Sequence, residues 1–254
     1  LVFNISSSKI LKKKYGIPRL IIANNVLAHV PCIKTFFKAL DIVSSEETFI
    51  SIEFPSVKNL INYNQFDTIY HEHYTYLSLT TVKIILKNFP FKIFKIDHLS
   101  THGGSLRLWI SKGDVRIQDS VIKELDEENV QKIFSKEKIR LFEKNANDKK
   151  KEFLQFLKKC KKNNKSVFAY GAAAKGISFL NFCGNQSKNI LAIFDKNKMK
   201  QNCYIPGLNI KILDPIEIKK LKPDFIIILP WNLKEEIKKE LAYIKQWGGK
   251  FIFF

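Results

Sequence analysis

The sequence predicts an α/β protein in which helices connect two domains, residues 1–118 and 165–254. Short apolar runs that end at turn residues occur on both sides of a charged stretch, as expected for buried strands of α/β folds. That stretch, residues 120–164, contains neither proline nor glycine and carries apolar residues at helical intervals. The second domain opens with a strand, a glycine turn and a helix, which is typical of parallel α/β sheets. We therefore expect 119–164 to be a helical linker.

Four short apolar runs predict the strands of the first domain. They are residues 19–23, 48–54, 91–96 and 106–110. Gly103 and Gly104 permit a tight turn between the last two runs, so those strands should be antiparallel neighbours. Apolar residues at helical spacing predict one helix over 33–40 and another that Ser78 or Thr80 would cap.

The linker is predicted to form two helices. Phe142 lies in its earlier part, and Phe153, Leu154, Phe156 and Leu157 lie in its later part. Residues 145–148, with two asparagines and an aspartate, are the expected break between the helices.

The second domain is predicted to contain a small parallel sheet. Residues 166–170, 225–229 and 250–254 have the pattern of buried strands, and a further strand should end at Asp195. A helix is expected near residues 233–245. This alternation of strands and helices favours a small parallel α/β domain.

The turn after the first strand of this domain is a variant of the dinucleotide-binding turn, Gly171-x-Ala173-x-x-Gly176. Asp195 falls about 20 residues further on, where such folds place a ribose-binding acid. Lys175 adds an anion-attracting charge near the helix start. The candidate binding residues are Gly171, Ala172, Ala173, Lys175, Gly176 and Asp195. Ala173 replaces the glycine that lets a pyrophosphate approach, so a tight turn without any ligand is an equally open interpretation.

The densest polar group is Tyr70-His71-Glu72-His73-Tyr74-Thr75-Tyr76, which holds two of the five histidines. A histidine offers a base that titrates near neutrality, a carboxylate can orient it, and phenols can bond a polar substrate. The stretch therefore has the side chains of a proton-transfer site. Histidines that merely pack and hydrogen-bond among aromatic residues give the same pattern, so spacing leaves both interpretations open.

Asn24, Asn25 and His29 form a second group of candidates. They follow the predicted strand 19–23 at its carboxyl end, where open α/β sheets place ligands. His29 could equally cap a helix or pack in the core.

The histidine and cysteine spacings argue against a metal site in this chain. His71 and His73 are two residues apart, outside any helical H-E-x-x-H pattern, and no cysteine lies nearby. The four cysteines are far apart and form no C-x-x-C pair, which favours reduced thiols in the cytoplasm.

The chain carries a formal net charge of +19, from 43 lysines and arginines against 24 acidic residues. The basic residues are spread through every segment without a nucleic-acid motif, which favours a solvated basic surface over a nucleic-acid or membrane partner. The sequence has no signal-like start and no apolar run near the roughly 20 residues that span a bilayer. We therefore expect a soluble cytoplasmic protein.

Several long motifs, in order along the chain, resemble those of the sugar C-methyltransferase family. They are the histidine stretch just described, Ala23-Asn24-Asn25-Val26-Leu27-Ala28-His29-Val30, His102-Gly103-Gly104-Ser105-Leu106-Arg107, Tyr170-Gly171-Ala172-Ala173-Ala174-Lys175-Gly176, Asp195-Lys196-Asn197, Tyr204-Ile205-Pro206-Gly207 and Leu229-Pro230-Trp231-Asn232.

The resemblance implies an architecture. Members of the family have a small zinc-binding domain, a class I S-adenosylmethionine-dependent methyltransferase domain and a Rossmann-like C-terminal domain. Residues 1–118 would be the C-terminal half of the methyltransferase sheet, and 165–254 the Rossmann-like domain. The zinc domain and the family's glycine-rich cofactor loop have no counterpart in this sequence, so we interpret the chain as N-terminally truncated.

The resemblance also implies a reaction, the transfer of a methyl group from S-adenosylmethionine to a carbon of a nucleotide-linked keto sugar. A base removes a proton alpha to a ketone, and the enolate attacks the methyl group. His73 would be the base, with Tyr70 and Glu72 as supporting groups and His29 as a nearby polar contact. His71 would be structural. Asn24 and Asn25 are assigned to the cofactor, and the Gly171 turn with Asp195 to the substrate's nucleotide or diphosphate.

Two other functions remain open from the sequence. One is a nucleotide-dependent oxidoreductase that uses the Gly171 turn and Asp195. The other is a catalytically incomplete module that binds nucleotide sugars. The cofactor that the protein binds discriminates the oxidoreductase from the methyltransferase.

Overall fold

Two separate β-sheets organise residues 2–254, the part of the chain that the computed structural model describes. Unit 1 takes in the residues up to Gln65 together with His71–Arg140. Unit 2 takes in Phe66–Tyr70 and Leu141–Phe254. Five residues, of which the last, Tyr70, begins the histidine stretch, thus belong to unit 2 by their contacts, although the chain on either side belongs to unit 1.

The sheet of unit 1 is mixed and has four strands. They are β1 (Leu20–Asn24), β2 (Phe49–Pro55), β3 (Lys92–Leu99) and β4 (Ser105–Ser111), in the spatial order β1-β2-β4-β3. β1 and β2 are parallel, whereas β4 lies antiparallel to both β2 and β3. This confirms the predicted antiparallel pair and the methyltransferase-like α/β fold.

Five helices accompany this sheet. They are α1 (Ile5–Tyr15), α2 (Ile33–Val43), α3 (Val57–Asn62), α4 (Leu79–Leu86) and α5 (Asp119–Val130). Ser78 caps α4, because its hydroxyl accepts a hydrogen bond from the Thr81 N–H. Phe36, Phe37 and Leu40 of α2 join the strands in one apolar core.

The expected break at 145–148 is wrong, because α6 runs unbroken from Lys136 to Lys162. The chain turns earlier, at 131–135, where Lys132 adopts a left-handed φ of 45°. Within α6, Lys144 and Asp148 form an ion pair one turn apart, and the Asn147 side chain donates to the Glu143 carbonyl. These local bonds keep the polar segment helical.

The sheet of unit 2 has five strands, and every pairing in it is parallel. They are β5 (Val167–Tyr170), β6 (Ile193–Phe194), β7 (Ile212–Leu213), β8 (Phe225–Ile228) and β9 (Lys250–Ile252), in the order β7-β6-β5-β8-β9. The helices are α7 (Ala174–Cys183), α8 (Ile218–Leu221) and α9 (Lys234–Glu240). The predicted parallel sheet is confirmed, although the two-residue strand β7 was not expected.

Both faces of this sheet are covered, because alternate residues of each strand enter different cores. Val167 and Ala169 pack with Phe153 of α6 and Leu180 of α7. Phe168 and Tyr170 point into a second cluster with Ile237, Leu241 and Ile244. The sheet thus lies between two layers of helices, and the turns that follow its strands lie at the carboxyl ends of those strands.

Candidate active site

The histidine stretch is an irregular loop of unit 1 from His71 onwards. The side chains of His71 and Glu72 are exposed, whereas His73 is half-buried. The Tyr74 N–H donates to the Ala28 carbonyl over 2.9 Å, which ties the loop to the turn after β1. Residues that are 46 positions apart are thereby held side by side.

His29 lies against this loop at the end of the short 3-10 turn Leu27–His29. Its Nδ1 is 2.9 Å from the Glu72 carbonyl oxygen, so Nδ1 carries the proton and donates it. The Nε2 atom of a neutral ring is then left with its lone pair. Glu72 is predicted to support the site through its carboxylate. The oxygen that orients His29, however, is the backbone carbonyl oxygen of Glu72.

The ring of His73 packs between two other rings. Its centroid is 4.8 Å from that of His29, with an interplanar angle of 60°, and 6.1 Å from that of Tyr76, with an angle of 81°. Both are edge-to-face contacts, the arrangement that aromatic rings prefer. The structure therefore brings His29, His73 and Tyr76 together, and the sequence had given Tyr76 no separate role.

Asn24 and Asn25 lie where the sequence placed them, at the carboxyl end of β1. Asn24 is exposed, and Asn25 adopts a left-handed φ of 54° as the chain leaves the strand. The Asn25 N–H donates to the Glu53 carbonyl over 2.9 Å. Its side-chain amide nitrogen is 3.2 Å from Nε2 of His102, a contact that the sequence did not reveal.

A buried carboxylate on β2 supports this corner. Glu53 accepts hydrogen bonds from the Thr101 hydroxyl at 2.9 Å and the Arg107 guanidinium at 2.8 Å. These bonds compensate the burial of its charge and fix the turn that carries His102. In the sequence, only the position of His102 next to two glycines indicated this arrangement.

In unit 2, packing explains two of the glycines in the Gly171 turn. Gly171 has a φ of 88°, and a Cβ atom there would lie 2.6 Å from Cδ of Pro230. A Cβ on Gly176 would lie 2.6 Å from Cβ of Leu229. The turn thus packs tightly against the segment after β8, as the tight-turn interpretation requires. α7 begins at Ala174 with no side-chain cap.

Asp195 closes the same turn from the end of β6. Its carboxylate accepts from the Ala172 and Asn197 N–H groups, each over 2.8 Å. Lys200 lies 3.4 Å from this carboxylate and donates to the Ala172 carbonyl over 2.9 Å. A ribose hydroxyl that bound Asp195 would therefore share its carboxylate with these contacts within the turn.

Lys175 lies over an aromatic ring that the sequence did not link to it. Its Nζ is 4.7 Å from the ring centroid of Trp231. Burial lowers the pKa of Lys175, and the charge of Asp67 partly offsets the effect. Asp67 accepts a 2.7 Å hydrogen bond from the Trp231 indole. Tyr70 belongs to the same short segment of unit 2 as Asp67.

Among residues 2–254, no group of three or more histidine, cysteine or acidic side chains is arranged to hold a metal ion. No helix there is long and apolar enough to cross a bilayer. The four cysteines are free thiols, Cys32 and Cys203 exposed and Cys160 and Cys183 buried.

The mixed sheet of unit 1, with polar side chains at the carboxyl end of β1, defines a methyltransferase-like α/β protein. Residues 100–254 match the family model described as C-methyltransferase C-terminal domain, and the chain belongs to this family. The chain is similar to the C-methyltransferase NovU of Streptomyces niveus, with 27% identity over 241 residues. The match covers 94% of this chain and 57% of that relative, so the chain spans just over half of the relative's length.

Proposed function

We propose that this chain is the catalytic C-terminal part of an S-adenosylmethionine-dependent enzyme that methylates a carbon of a nucleotide-linked keto sugar. The observation that carries the proposal is the ring cluster of His29, His73 and Tyr76, held together at the carboxyl end of β1. Family membership supplies the reaction class. The cluster supplies the base that such a reaction needs.

His73 is the proposed base. A neutral imidazole nitrogen takes the proton from the carbon alpha to the sugar ketone, and the C–H bonding pair becomes the enolate. The flanking rings of His29 and Tyr76 restrict the rotation of His73, which favours one reactive geometry. The ketone oxygen gains negative charge in this step, and the Tyr70 hydroxyl is assigned to donate a hydrogen bond to it. Glu72 is assigned as a further supporting group of the site.

His29 has a defined part in this proposal. Its Nδ1–H is engaged by the Glu72 carbonyl, so its Nε2 can accept a hydrogen bond from the substrate or from a protonated His73. A neighbouring acceptor stabilises the imidazolium that forms when His73 takes the proton. His29 is therefore a polar contact in the site.

Asn24 and Asn25 fit a cofactor that presents hydroxyl, amino and carboxylate groups. The amides of Asn24, which is exposed, and of Asn25, which is half-buried, can both donate to and accept from such groups at the carboxyl end of this parallel strand. When bound, S-adenosylmethionine supplies an electrophilic methyl group to the enolate carbon. These two residues would hold one side of it.

We assign the nucleotide or diphosphate of the substrate to the Gly171 turn, with Ala172, Ala173, Lys175, Gly176 and Asp195. The start of α7 lacks a side-chain cap, so its first N–H groups suit an anion, and the Lys175 charge lies one residue into the helix. The oxidoreductase is less favoured, because Ala173 replaces the glycine that lets the pyrophosphate of a dinucleotide approach the turn.

The test is methyl transfer by the longer protein that contains this chain. The enzyme is incubated with S-adenosylmethionine carrying a ¹³C methyl group and a nucleoside-diphosphate keto sugar, and the product is examined by NMR. We expect the labelled methyl group on a carbon adjacent to the ketone. A methyl group on oxygen, or transfer to non-carbohydrate acceptors alone, would overturn the proposal.

A further inference from the structure

Two residues of unit 1 adopt left-handed backbone conformations although neither is a glycine, and their side chains are in contact. Asn25, just after β1, has a φ of 54°, and His102, in the turn between β3 and β4, has a φ of 57°. Asparagine and histidine tolerate this region better than most residues, but surrounding contacts must still enforce it. Such conformations occur preferentially at functional sites, so the contacts that enforce them bear on function.

The contact between the two side chains fixes their hydrogen-bonding roles. Nδ2 of the Asn25 amide lies 3.2 Å from Nε2 of His102, and an amide nitrogen can only donate. Nε2 of His102 therefore accepts, and the neutral ring carries its proton on Nδ1. The same bond sets the rotation of the Asn25 amide, so its side-chain oxygen Oδ1 is held in one orientation.

One residue of β2 is bonded toward both members of this pair. The Glu53 backbone carbonyl accepts from the Asn25 N–H over 2.9 Å. The Glu53 carboxylate accepts from the hydroxyl of Thr101, the residue before His102, also over 2.9 Å. Glu53 thus connects the end of β1 to the turn between β3 and β4.

The carboxylate of Glu53 is itself held on its other side. Glu53 is 3% exposed, and its second carboxylate oxygen accepts from Arg107 over 2.8 Å. Arg107 is the direct neighbour of Glu53 in the pairing of β2 with β4. Apolar residues of similar size commonly stabilise a fold at least as well as a buried ion pair, so stability alone does not account for this carboxylate. The bonds that it fixes around Asn25 and His102 give it a positional role.

We infer that Glu53 and His102 are positioning residues for Asn25. Glu53 holds both ends of the Asn25–His102 contact, and His102 accepts one amide N–H, so that Oδ1 of Asn25 is presented to a hydrogen-bond donor. On the proposed function, which assigns Asn25 to S-adenosylmethionine, that donor is a hydroxyl or amino group of the cofactor. The arrangement of the pair does not rest on the proposed function.

Unit 1 contains a matched control for Glu53. Glu128 on α5 is also 3% exposed, and its two carboxylate oxygens accept from the N–H groups of Leu79 and Thr80, each over 2.8 Å. These bonds lie at the start of α4 and involve neither β1 nor the turn between β3 and β4. Glu53→Gln and Glu128→Gln thus each exchange a buried, doubly bonded carboxylate for an amide of the same shape.

The variants are Glu53→Gln, Thr101→Val, Asn25→Gly and Glu128→Gln, each in this chain. Thr101→Val removes the hydroxyl that binds Glu53, and Asn25→Gly removes the amide while glycine accepts the left-handed φ. Long-range ¹H–¹⁵N NMR of the imidazole reports which nitrogen of His102 carries the proton. The Nδ1–H fraction should fall at least about 2-fold in the first three variants and stay unchanged in Glu128→Gln, because only the first three loosen the bond to Nε2.

Urea unfolding shows whether each variant is folded and whether the two glutamine variants lose similar stability. An unchanged His102 tautomer in folded Glu53→Gln would overturn the positioning role. An equal change of the tautomer in Glu128→Gln would also overturn it, because that variant leaves the contacts of Asn25 in place.

Calorimetry on the longer enzyme tests the contact with the cofactor. Glu53→Gln should bind S-adenosylmethionine about 10-fold more weakly, and Glu128→Gln should bind it as the unaltered enzyme does. A changed His102 tautomer with unchanged affinity in Glu53→Gln would overturn the contact between Asn25 and the cofactor. No binding of S-adenosylmethionine by the unaltered longer enzyme would instead contradict the proposed function, and the tautomer would still decide the role of Glu53.

Discussion

Single residues of the Gly171 turn decide how the substrate would be held. Lys175 lies over Trp231, and the charge of Asp67 partly offsets the fall in its pKa that burial causes. A phosphate at the start of α7 would still gain from this ammonium, because the first N–H groups of a helix and a nearby cation act together. The glycines of the turn, by contrast, are explained by close packing and, at Gly171, by a φ of 88°.

We therefore expect Lys175→Ala to weaken binding of a nucleoside-diphosphate keto sugar about 10-fold, the size of one charge-assisted contact. Calorimetry on this chain measures it, with Lys188→Ala as the control, because Lys188 is an exposed lysine beyond the end of α7. Equal affinity in Lys175→Ala and the unaltered chain would count against the phosphate contact. Tight binding of NAD(H) would favour the oxidoreductase as the function instead.

The four thiols should differ in reactivity. Burial raises the pKa of Cys183 to about 12 and raises that of Cys160, so both stay protonated at pH 8. The Thr35 hydroxyl donates to Cys32 and lowers the pKa of this exposed thiol. We expect Ellman's reagent to modify Cys32 and Cys203 quickly and the other two only on unfolding. Peptide mapping checks the order, and rapid labelling of Cys183 in the folded chain would contradict it.

At the scale of elements, a buried ion pair fastens α5 to α3. Nζ of Lys58 is 2.5 Å from Glu124 and 2.8 Å from Glu127. Burial opposes the charge on Lys58, but the hydrogen bonds that its ammonium donates to both glutamates outweigh this effect and raise its pKa. Burial raises the pKa of Glu124, and Lys58 offsets part of that rise. Removing the lysine would leave Glu124 buried and without its cation.

Lys58→Met should therefore lower the free energy of unfolding by about 3 kcal/mol at pH 7. The folded-state pKa of Glu124 would rise further above its unfolded value, so the loss should shrink as the pH falls through that folded pKa. Urea unfolding at several pH values measures both effects. Glu127→Gln is the control and should cost under about 1 kcal/mol, because this side chain is mostly exposed. A loss of unfolding free energy in Lys58→Met that does not change with pH would contradict this role of the Lys58–Glu124 pair.

Elements with strong apolar patterns could be predicted from the sequence. The bounds of the four strands of unit 1 lie within three residues of the predicted runs, because buried strands need consecutive apolar residues. α1 was not expected, since its sequence is mostly serine and lysine and it depends on a capping box formed by Asn4 and Ser7. The unbroken path of α6 likewise depends on ion pairs that composition does not reveal.

The site could be predicted in part. The residue types of the histidine stretch indicated acid–base chemistry, and Asn24 and Asn25 followed from their place after a strand. The contacts of His29 with His73 and of Asp67 with Trp231 join residues 44 and 164 positions apart. Only the folded chain brings these partners together, so no local pattern in the sequence reports them.

At the scale of the whole molecule, one sheet edge of unit 1 is apolar and exposed. β1 lies at the end of the strand order, and Leu20 and Ile22 on it are 48% and 63% exposed. An edge strand with exposed apolar side chains is a ready surface for pairing with another strand.

We expect this chain on its own to self-associate through β1, and Ile22→Lys to reduce the association because a charge on an edge strand opposes pairing. Light scattering against concentration measures the change. Ile216→Lys is the control, since Ile216 is 72% exposed but lies in a short 3-10 turn of unit 2. Equal self-association of the chain and Ile22→Lys would contradict this role for the edge.

The central claim is that His73 removes the proton alpha to the substrate ketone. It can be tested by following deuterium uptake from D₂O at that carbon, by NMR, in the longer enzyme without the methyl donor. We predict uptake with the unaltered enzyme, a rate at least about 100-fold lower with His73→Asn, and little change with His71→Asn, whose side chain is exposed. Uptake at an unchanged rate in His73→Asn would contradict the claim.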